Sequence, residues 1–516
     1  KLREQEPLSP PPSPSPTPGA YLHFLKLHCQ CAATRLFTHL CDRNERRQYL
    51  SPEDWQWAPL SAIDLALDTP GSGVGVVGGV VAAEWGIVVK NGRAKAVLTY
   101  IPQVVPFKQR VSVLHAMLQR DQTDFYTSAG ASRHAGVGTS TRISVRRDHL
   151  VEDAYRELGQ LGAKLKGRVQ VEFISGQGMS EAGIDGGGLF KEFLDSFAKA
   201  AFAPSFGLFA PTSHQLLTPD PSSSSAGVGA QHLQYFHFIG KILGKALYER
   251  MLVESEFAPG FLNALLGHTN ALDDLFHLDE TMHRSLMQLK HHANAGGDIE
   301  SLELYFESSR ECNGKVVTQE IVPGGSDLKV SRSNVHAYIH TLAHHKQNVE
   351  ARDQCRALLA GFRMLVPLEW IRMFSTRELQ LLISGDRRKI DLADMMSNVH
   401  YGSGYHPSQP YVQTFWQVVA DMSPEDQGNL LRFVTSCSRQ PLLGFGQLNP
   451  TFCIQKIPAY ASQYTGLEPP ALGEAPRLPS AATCMNLLKL PLYDSAEILR
   501  DKLLYAIRSN SGFELS

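Results

Sequence analysis

The most suggestive reactive side chain in this sequence is the thiol of Cys484. It lies in Arg477-Leu478-Pro479-Ser480-Ala481-Ala482-Thr483-Cys484-Met485-Asn486-Leu487-Leu488-Lys489-Leu490-Pro491. Prolines bracket the segment and small residues precede the sulfur, which describes an ordered loop that a bulky partner can approach. A thiolate at such a place can attack acyl carbonyls and carry an acyl group. The same residues also suit a spare thiol that packs as a small hydrophobe. Residue chemistry alone favours the spare thiol and leaves both readings open.

Other constellations are weaker. In Ile184-Asp185-Gly186-Gly187-Gly188-Leu189-Phe190 a glycine cluster stands between a strand and a helix, where it could cradle phosphate. No Lys-Ser/Thr pair follows and the glycines are not spaced as G-x-G-x-x-G, so a tight backbone turn is the better reading. His28-Cys29-Gln30-Cys31 with His39 and Cys41 offers metal-ligating types, but without a Cys-x-x-Cys and within a helical stretch, so no metal site is expected. His291-His292 and His344-His345 read as exposed polar pairs.

A chain of 516 residues suggests about three domains or lobes. It is 43% hydrophobic and 19% charged, enough apolar residue for a sizeable core. The net charge of −2 gives no global drive towards nucleic acid or an acidic membrane. The weakly polar run 74–89 is broken by Glu84 and four glycines, short of the ~20 apolar residues of a membrane helix. Eight cysteines are too few for a disulfide scaffold, so a reducing compartment, cytoplasmic or nuclear, is expected. The opening Lys1-Leu2-Arg3-Glu4-Gln5 has no apolar segment and no initiator Met, which reads as a fragment of a longer protein without a signal peptide.

The elements that must position Cys484 follow from patterning. Residues 8–19 are proline-dense and extended, 20–66 look helical, and 69–82 read as a Gly/Val-rich insertion; ordered structure begins in earnest near Ile101. The stretches 127–141 and 218–230 read as exposed loops. Arg168 to Ile174 alternates polar and apolar, as a half-buried strand does. Helices are expected at 189–200 and 232–254, the second apolar nearly all round and therefore a core helix, and again at 280–291, 333–348 and 350–364. Ser375 is placed to cap another helix. Two glycines and a proline in Tyr401-Gly402-Ser403-Gly404-Tyr405-His406-Pro407 mark a joint. Beyond it the pattern predicts helices at 409–422 and 424–436, a strand at 451–457, the cysteine loop, and a last helix at 495–509.

A series of blocks then matters together: EAGIDGGGLFKEFL (181–194), YFHFIGKILGKALYERMLVESEFAPGFLNALLG (235–267), PGGSDLKVS (323–331), ELQLLISG (378–385), YGSGY (401–405), LLRFVTSCSRQPLLGF (430–445) and the cysteine loop, with the end Gly512-Phe513-Glu514-Leu515-Ser516. In this order they resemble HECT-type E3 ubiquitin ligases over about 115–516, and most nearly the proteasome-associated branch ending in GFELS.

The resemblance implies an α+β, bilobal fold. A large, mostly helical N-lobe would span 115–400, with an E2-binding subdomain at about 260–345, a hinge at 401–407 and a small α/β C-lobe at 408–516. A partly disordered helical extension with Pro-rich and Gly-rich linkers would precede it over 1–100. It implies that Cys484 accepts ubiquitin from an E2 as a thioester and passes it to lysines of protein substrates or of ubiquitin. Thr483 would donate a hydrogen bond to the thiolate or oxyanion, and Phe513 would anchor the tail between the lobes. Many relatives carry His two positions before the cysteine; Ala482 stands there, so alignment rather than a local imidazole must serve the chemistry. Glu514 and the terminal carboxylate of Ser516 are candidates to take up the lysine proton.

An E2 loop would be received by Met282 and Leu286 on one helix face, Leu302 and Leu304 alternating on a strand, and Tyr338 and Leu342 on another helix face. Taken singly, each of the six is more often core. Implied partners are an E2, ubiquitin, protein substrates and the proteasome; no cofactor, nucleic acid or membrane span is implied. A cysteine hydrolase would need an imidazole at Cys484, and none of the 20 histidines sits in a protease signature. A non-catalytic adaptor would have no use for the cysteine loop and tail.

Overall fold

The computed structural model describes residues 18–56, 92–128, 140–175, 188–225, 227, 229–312, 314–387, 390–460 and 475–509. The proline-dense stretch up to residue 17, the 69–82 insertion, the glycines before Gly188 and the end 510–516 lie outside them.

In chain order the elements are α1 (Pro18–Arg46), α2 (Gly92–Tyr100), α3 (Phe107–Ser128), β1 (Thr141–Arg146), α4 (Leu150–Leu158), β2 (Val169–Ile174) and α5 (Gly188–Ala201). The hairpin β3 (Phe209–Pro211) and β4 (Leu217–Pro219) leads to α6 (His232–Tyr248), α7 (Pro259–Leu266) and α8 (Glu280–Asn294). A second hairpin, β5 (Glu307–Cys312) and β6 (Lys315–Glu320), precedes α9 (Val335–His344), α10 (Arg352–Arg363), α11 (Thr376–Ser384) and α12 (Leu392–Ser397). The last part holds β7 (His400–Gly402), α13 (Pro410–Ala420), α14 (Pro424–Thr435), β8 (Cys453–Ile457), β9 (Ser480–Ala482), β10 (Leu487–Pro491) and α15 (Ala496–Arg508). The fold is thus mixed, with strands confined to small sheets. No helix among the described residues is long and apolar enough to cross a membrane. The chain divides into two units: Lys1–Gln122, Ala201–Lys245 and Ser255–Gln380 form one, and Thr123–Ala200, Ala246–Glu254 and Leu381–Ser516 the other.

In the first unit α6 buries Phe236, Phe238, Ile239, Ile242 and Leu243, as its all-round apolar pattern predicts. It meets α10 backbone to backbone. A Cβ at Gly240 would fall 1.9 Å from the Leu358 carbonyl oxygen, and one at Gly361 would fall 1.8 Å from that of His237. Ser375 caps α11: its amide donates to Glu378 Oε2 at 2.9 Å, and its hydroxyl accepts from the Glu378 amide at 3.4 Å. A separate core gathers Leu275, Leu286, Leu289, Ile299, Phe306, Val330, Tyr338 and Leu342. Here one expectation fails. Leu302 and Leu304 do not alternate on a strand: Glu300–Leu302 is a 3-10 turn and Glu303 adopts φ 48°. A left-handed residue between them breaks the pleat, and Leu302 is exposed while Leu304 is half-buried.

In the second unit β1 and β2 pair in parallel, Ile143 opposite Val171, with α4 between them in sequence. The alternation of β2 buries Val169, Val171 and Phe173. The expected helix 232–254 is also corrected. The α6 helix stops at Tyr248, because Arg250 takes φ 59° and the amides of Arg250 and Met251 return to the carbonyls of Leu247 and Ala246. The C-terminal sheet has the order β7-β8-β10-β9, with β7 and β10 parallel to β8 and β9 antiparallel to β10. Its core runs from Ile390 to Ile507, including Phe415, Phe445, Ile454, Leu488 and Leu503. Within 401–407, Tyr401 and Gly402 belong to β7, and Ser403 (φ 55°) and Gly404 (φ 93°) turn the chain. Tyr405 then enters the core and donates its hydroxyl to the Leu490 carbonyl at 3.0 Å.

Candidate active site

Strands β9 and β10 pair antiparallel, Ala482 opposite Leu487, and the chain between them is one 3-10 turn, Thr483–Met485, with Cys484 at its centre. Asn486 closes the turn at φ 47°. Among non-glycine residues Asn is one of the few that tolerate this region, since its short polar side chain bonds locally. Asn486 has no exposed surface. Its amide N–H donates to the Thr483 carbonyl at 3.3 Å, and its own carbonyl accepts from the Cys453 amide at 2.9 Å. Its Nδ2 donates to the Pro450 carbonyl at 2.6 Å, and its Oδ1 accepts from Lys191 Nζ on α5 at 3.3 Å. Ala482 and Thr483 are half-buried and Met485 is exposed. Beside the turn lies an open groove of about 600 Å³, lined by Val399, His400, Pro450, Cys453, Gln455, Met485 and Leu487.

The six residues assigned to E2 contact fall in one subdomain at different depths. Leu286, Tyr338 and Leu342 are buried in its core, Met282 and Leu304 pack against that core half-buried, and Leu302 is 46% exposed. They do not form one exposed patch.

A family model described as HECT-domain (ubiquitin-transferase) matches residues 195–516, more than half of the chain. This chain belongs to the HECT family. It is 38% identical to E3 ubiquitin-protein ligase UPL6 of Arabidopsis thaliana over 94% of this chain and 43% of that protein. It is 40% identical to Ubiquitin-protein ligase E3B of Homo sapiens, over 82% of this chain and 40% of that one. With E3 ubiquitin-protein ligase HUL5 of Saccharomyces cerevisiae it shares 34%, over 82% of this chain and 45% of that one. The chain spans less than half the length of these relatives.

Several other thiols of the HECT chain lie where burial disfavours the thiolate. Burial pushes Cys355 up to about 12; burial with Glu254 does the same to Cys437, and burial with Asp42 and Glu45 to Cys41. Burial also raises Cys453. Cys312 goes the other way, held below its ordinary value by the hydroxyls of Ser225 and Ser222. His28, Cys29, Cys31, His39 and Cys41 are strung along α1, and among the described residues no three His, Cys, Asp or Glu side chains gather as a metal site.

Phe513, Glu514 and Ser516 of the HECT chain lie outside the described residues. The helix leading to them is anchored by a two-pronged bond: Arg508 Nε and Nη2 donate to Asp426 at 2.9 and 2.8 Å. Sequence reasoning missed Asn486 and Lys191. For Asn486 a signal existed, a turn-favouring Asn immediately before the apolar run Leu487-Leu488; for Lys191 none did.

Proposed function

We propose that this HECT chain accepts ubiquitin from an E2 as a thioester on Cys484 and transfers it to lysine amines of protein substrates or of ubiquitin. The observation that carries this reading is the family match together with Cys484 at the centre of a turn braced from beneath by Asn486. In the first step the Cys484 thiolate attacks the E2-bound ubiquitin carbonyl. A new C–S bond forms, the old one breaks, and the E2 cysteine leaves as thiolate. Exchange between like thioesters is close to isoenergetic, so alignment matters more than a strong base. In the second step a neutral lysine amine attacks the same carbonyl, an amide bond forms, Cys484 leaves as thiolate, and the amine's proton passes to a base or to water.

Thr483 is assigned hydrogen-bond donation to the sulfur or oxyanion, and Phe513 the anchoring of the tail during ligation. The 115–400 and 408–516 segments act as two lobes about the 401–407 joint, whose two glycines suit a change of backbone angle. The E2 face centres on exposed Leu302 with Met282 and Leu304, while Leu286, Tyr338 and Leu342 shape it from below. The sparse cysteines of the sequence suit a reducing compartment, cytoplasmic or nuclear. By the GFELS resemblance, the products are directed to the proteasome.

The test mixes the chain with E1, a panel of E2 enzymes, ubiquitin and ATP. The reading expects a thiol-sensitive ubiquitin adduct that Cys484→Ala abolishes. An adduct that persists in Cys484→Ala ends it.

A further inference from the structure

We propose that Asn486 is the positioning residue of the Cys484 nucleophile, and that Lys191 engages the cysteine turn through it. This rests on the reading of Cys484 as acceptor.

Two features make Asn486 more than a turn residue. Its left-handed backbone is one that both Asn and glycine adopt, so the turn by itself does not account for what the side chain holds. That side chain is completely buried, with each end of its amide engaged by a different part of the chain. Nδ2 reaches the carbonyl of Pro450 ahead of β8, and Oδ1 takes the ammonium of Lys191 from α5. Through its backbone the same residue holds Thr483 on one side and Cys453 on the other. Four bonds thus converge two positions after the sulfur-bearing residue, where each removes a way for the turn to tilt. Acyl exchange depends on approach geometry, and a displacement of about 1 Å costs on the order of a hundredfold in rate.

Lys191 adds a longer link. It is half-buried on α5, whose residues are no part of the Ile390–Ile507 core that carries the turn. In the arrangement seen here its bond to Asn486 makes the turn's orientation depend on α5 as well as on the sheet, and a swing of the lobes releases it. A charged donor on an amide oxygen is stronger than a neutral one, so losing it should be measurable.

The experiment follows single-turnover loading from an E2 thioester and discharge to lysine in the full chain, with melting temperatures for each variant. Asn486→Gly keeps the left-handed turn but deletes two side-chain hydrogen bonds; it is expected to melt below the parent and, at a temperature where both are folded, to load about tenfold to a hundredfold more slowly. Asn486→Asp keeps an acceptor for Lys191 but loses the donor to Pro450, and is expected to be slowed as well. Lys191→Met leaves the buried Asn486 Oδ1 unpaired and is expected to lower the melting temperature modestly and, at a temperature where both proteins are folded, to slow transfer about tenfold, with Lys191→Arg restoring both. Parent-like loading in Asn486→Gly or Asn486→Asp overturns the positioning role. Parent-like transfer in Lys191→Met, or no recovery in Lys191→Arg, overturns the link to α5. Cys484→Ala separates the two claims: an adduct there defeats the acceptor reading, whereas a dead Cys484→Ala beside a normal Asn486→Gly defeats only the positioning.

Discussion

Glu254 and Arg432 form an ion pair through Glu254 Oε2, while the other oxygen of the same carboxylate takes the Ser438 amide. Burial raises the Glu254 carboxyl, and the Ser438 amide with Arg432 outweighs burial, so it lies below its ordinary value. An acid depressed by folding contributes stability above its unfolded pKa, about 4.3, and loses it as the pH falls through the folded value. Glu254→Gln is therefore expected to destabilise by about 1–3 kcal/mol at pH 7, with the gap to the parent closing below about pH 4. Denaturation curves from pH 3 to 8 check this; a gap independent of pH would assign the loss to packing.

Residues 401–407 offer a contrast between two glycines. Gly404 has φ 93° with nothing within 4 Å of where a Cβ would stand, whereas a Cβ at Gly402 would sit 3.8 Å from Cys453 Sγ in ordinary contact. Gly404→Ala is expected to cost about 1–2 kcal/mol through backbone strain alone, and Gly402→Ala less. Urea titrations of the two variants decide it, and equal costs would show that the positive φ is not what matters there.

Gly361→Ala should be far harsher. Its Cβ would lie 1.8 Å from the His237 carbonyl oxygen, and a helix backbone cannot yield as a side chain can. The α6 and α10 helices must separate, at a cost of about 3 kcal/mol or more. A variant melting with the parent would disprove the close crossing.

Leu286 and Leu302 separate stability from recognition. Leu286→Ala removes a core side chain and is expected to cost about 2–5 kcal/mol. Leu302→Ala, at an exposed site, should leave the melting temperature unchanged while weakening E2-dependent loading, seen as a raised KM for the E2 thioester. Unchanged loading would remove Leu302 from the proposed E2 face.

Thiol mapping tests the cysteine environments. At pH 7.5 a thiol raised to about 12 is ionised in roughly one molecule in 10,000 or fewer. Cys41, Cys355 and Cys437 should resist iodoacetamide in the folded chain, and Cys312, shifted the other way, should label ahead of them. Rapid alkylation of Cys437 would show that the second unit opens around it.

What the sequence determined was local. Alternation in 168–174 foretold β2, the all-round apolar run foretold the core helix α6, and Ser375 with Glu378 foretold a capped start, because each depends on neighbours within one turn or one pleat. The ordered blocks around Cys484 also carried the family. Nothing local announced that Arg250, rather than a glycine, would take the left-handed position ending α6, or that Glu303 would split Leu302 from Leu304. Apolar spacing put Leu286, Tyr338 and Leu342 on helix faces without saying whether the faces turn inward; packing turned them in. Only the tertiary structure brought Lys191 to Asn486 across 295 positions, since such a contact depends on where two distant elements come to rest.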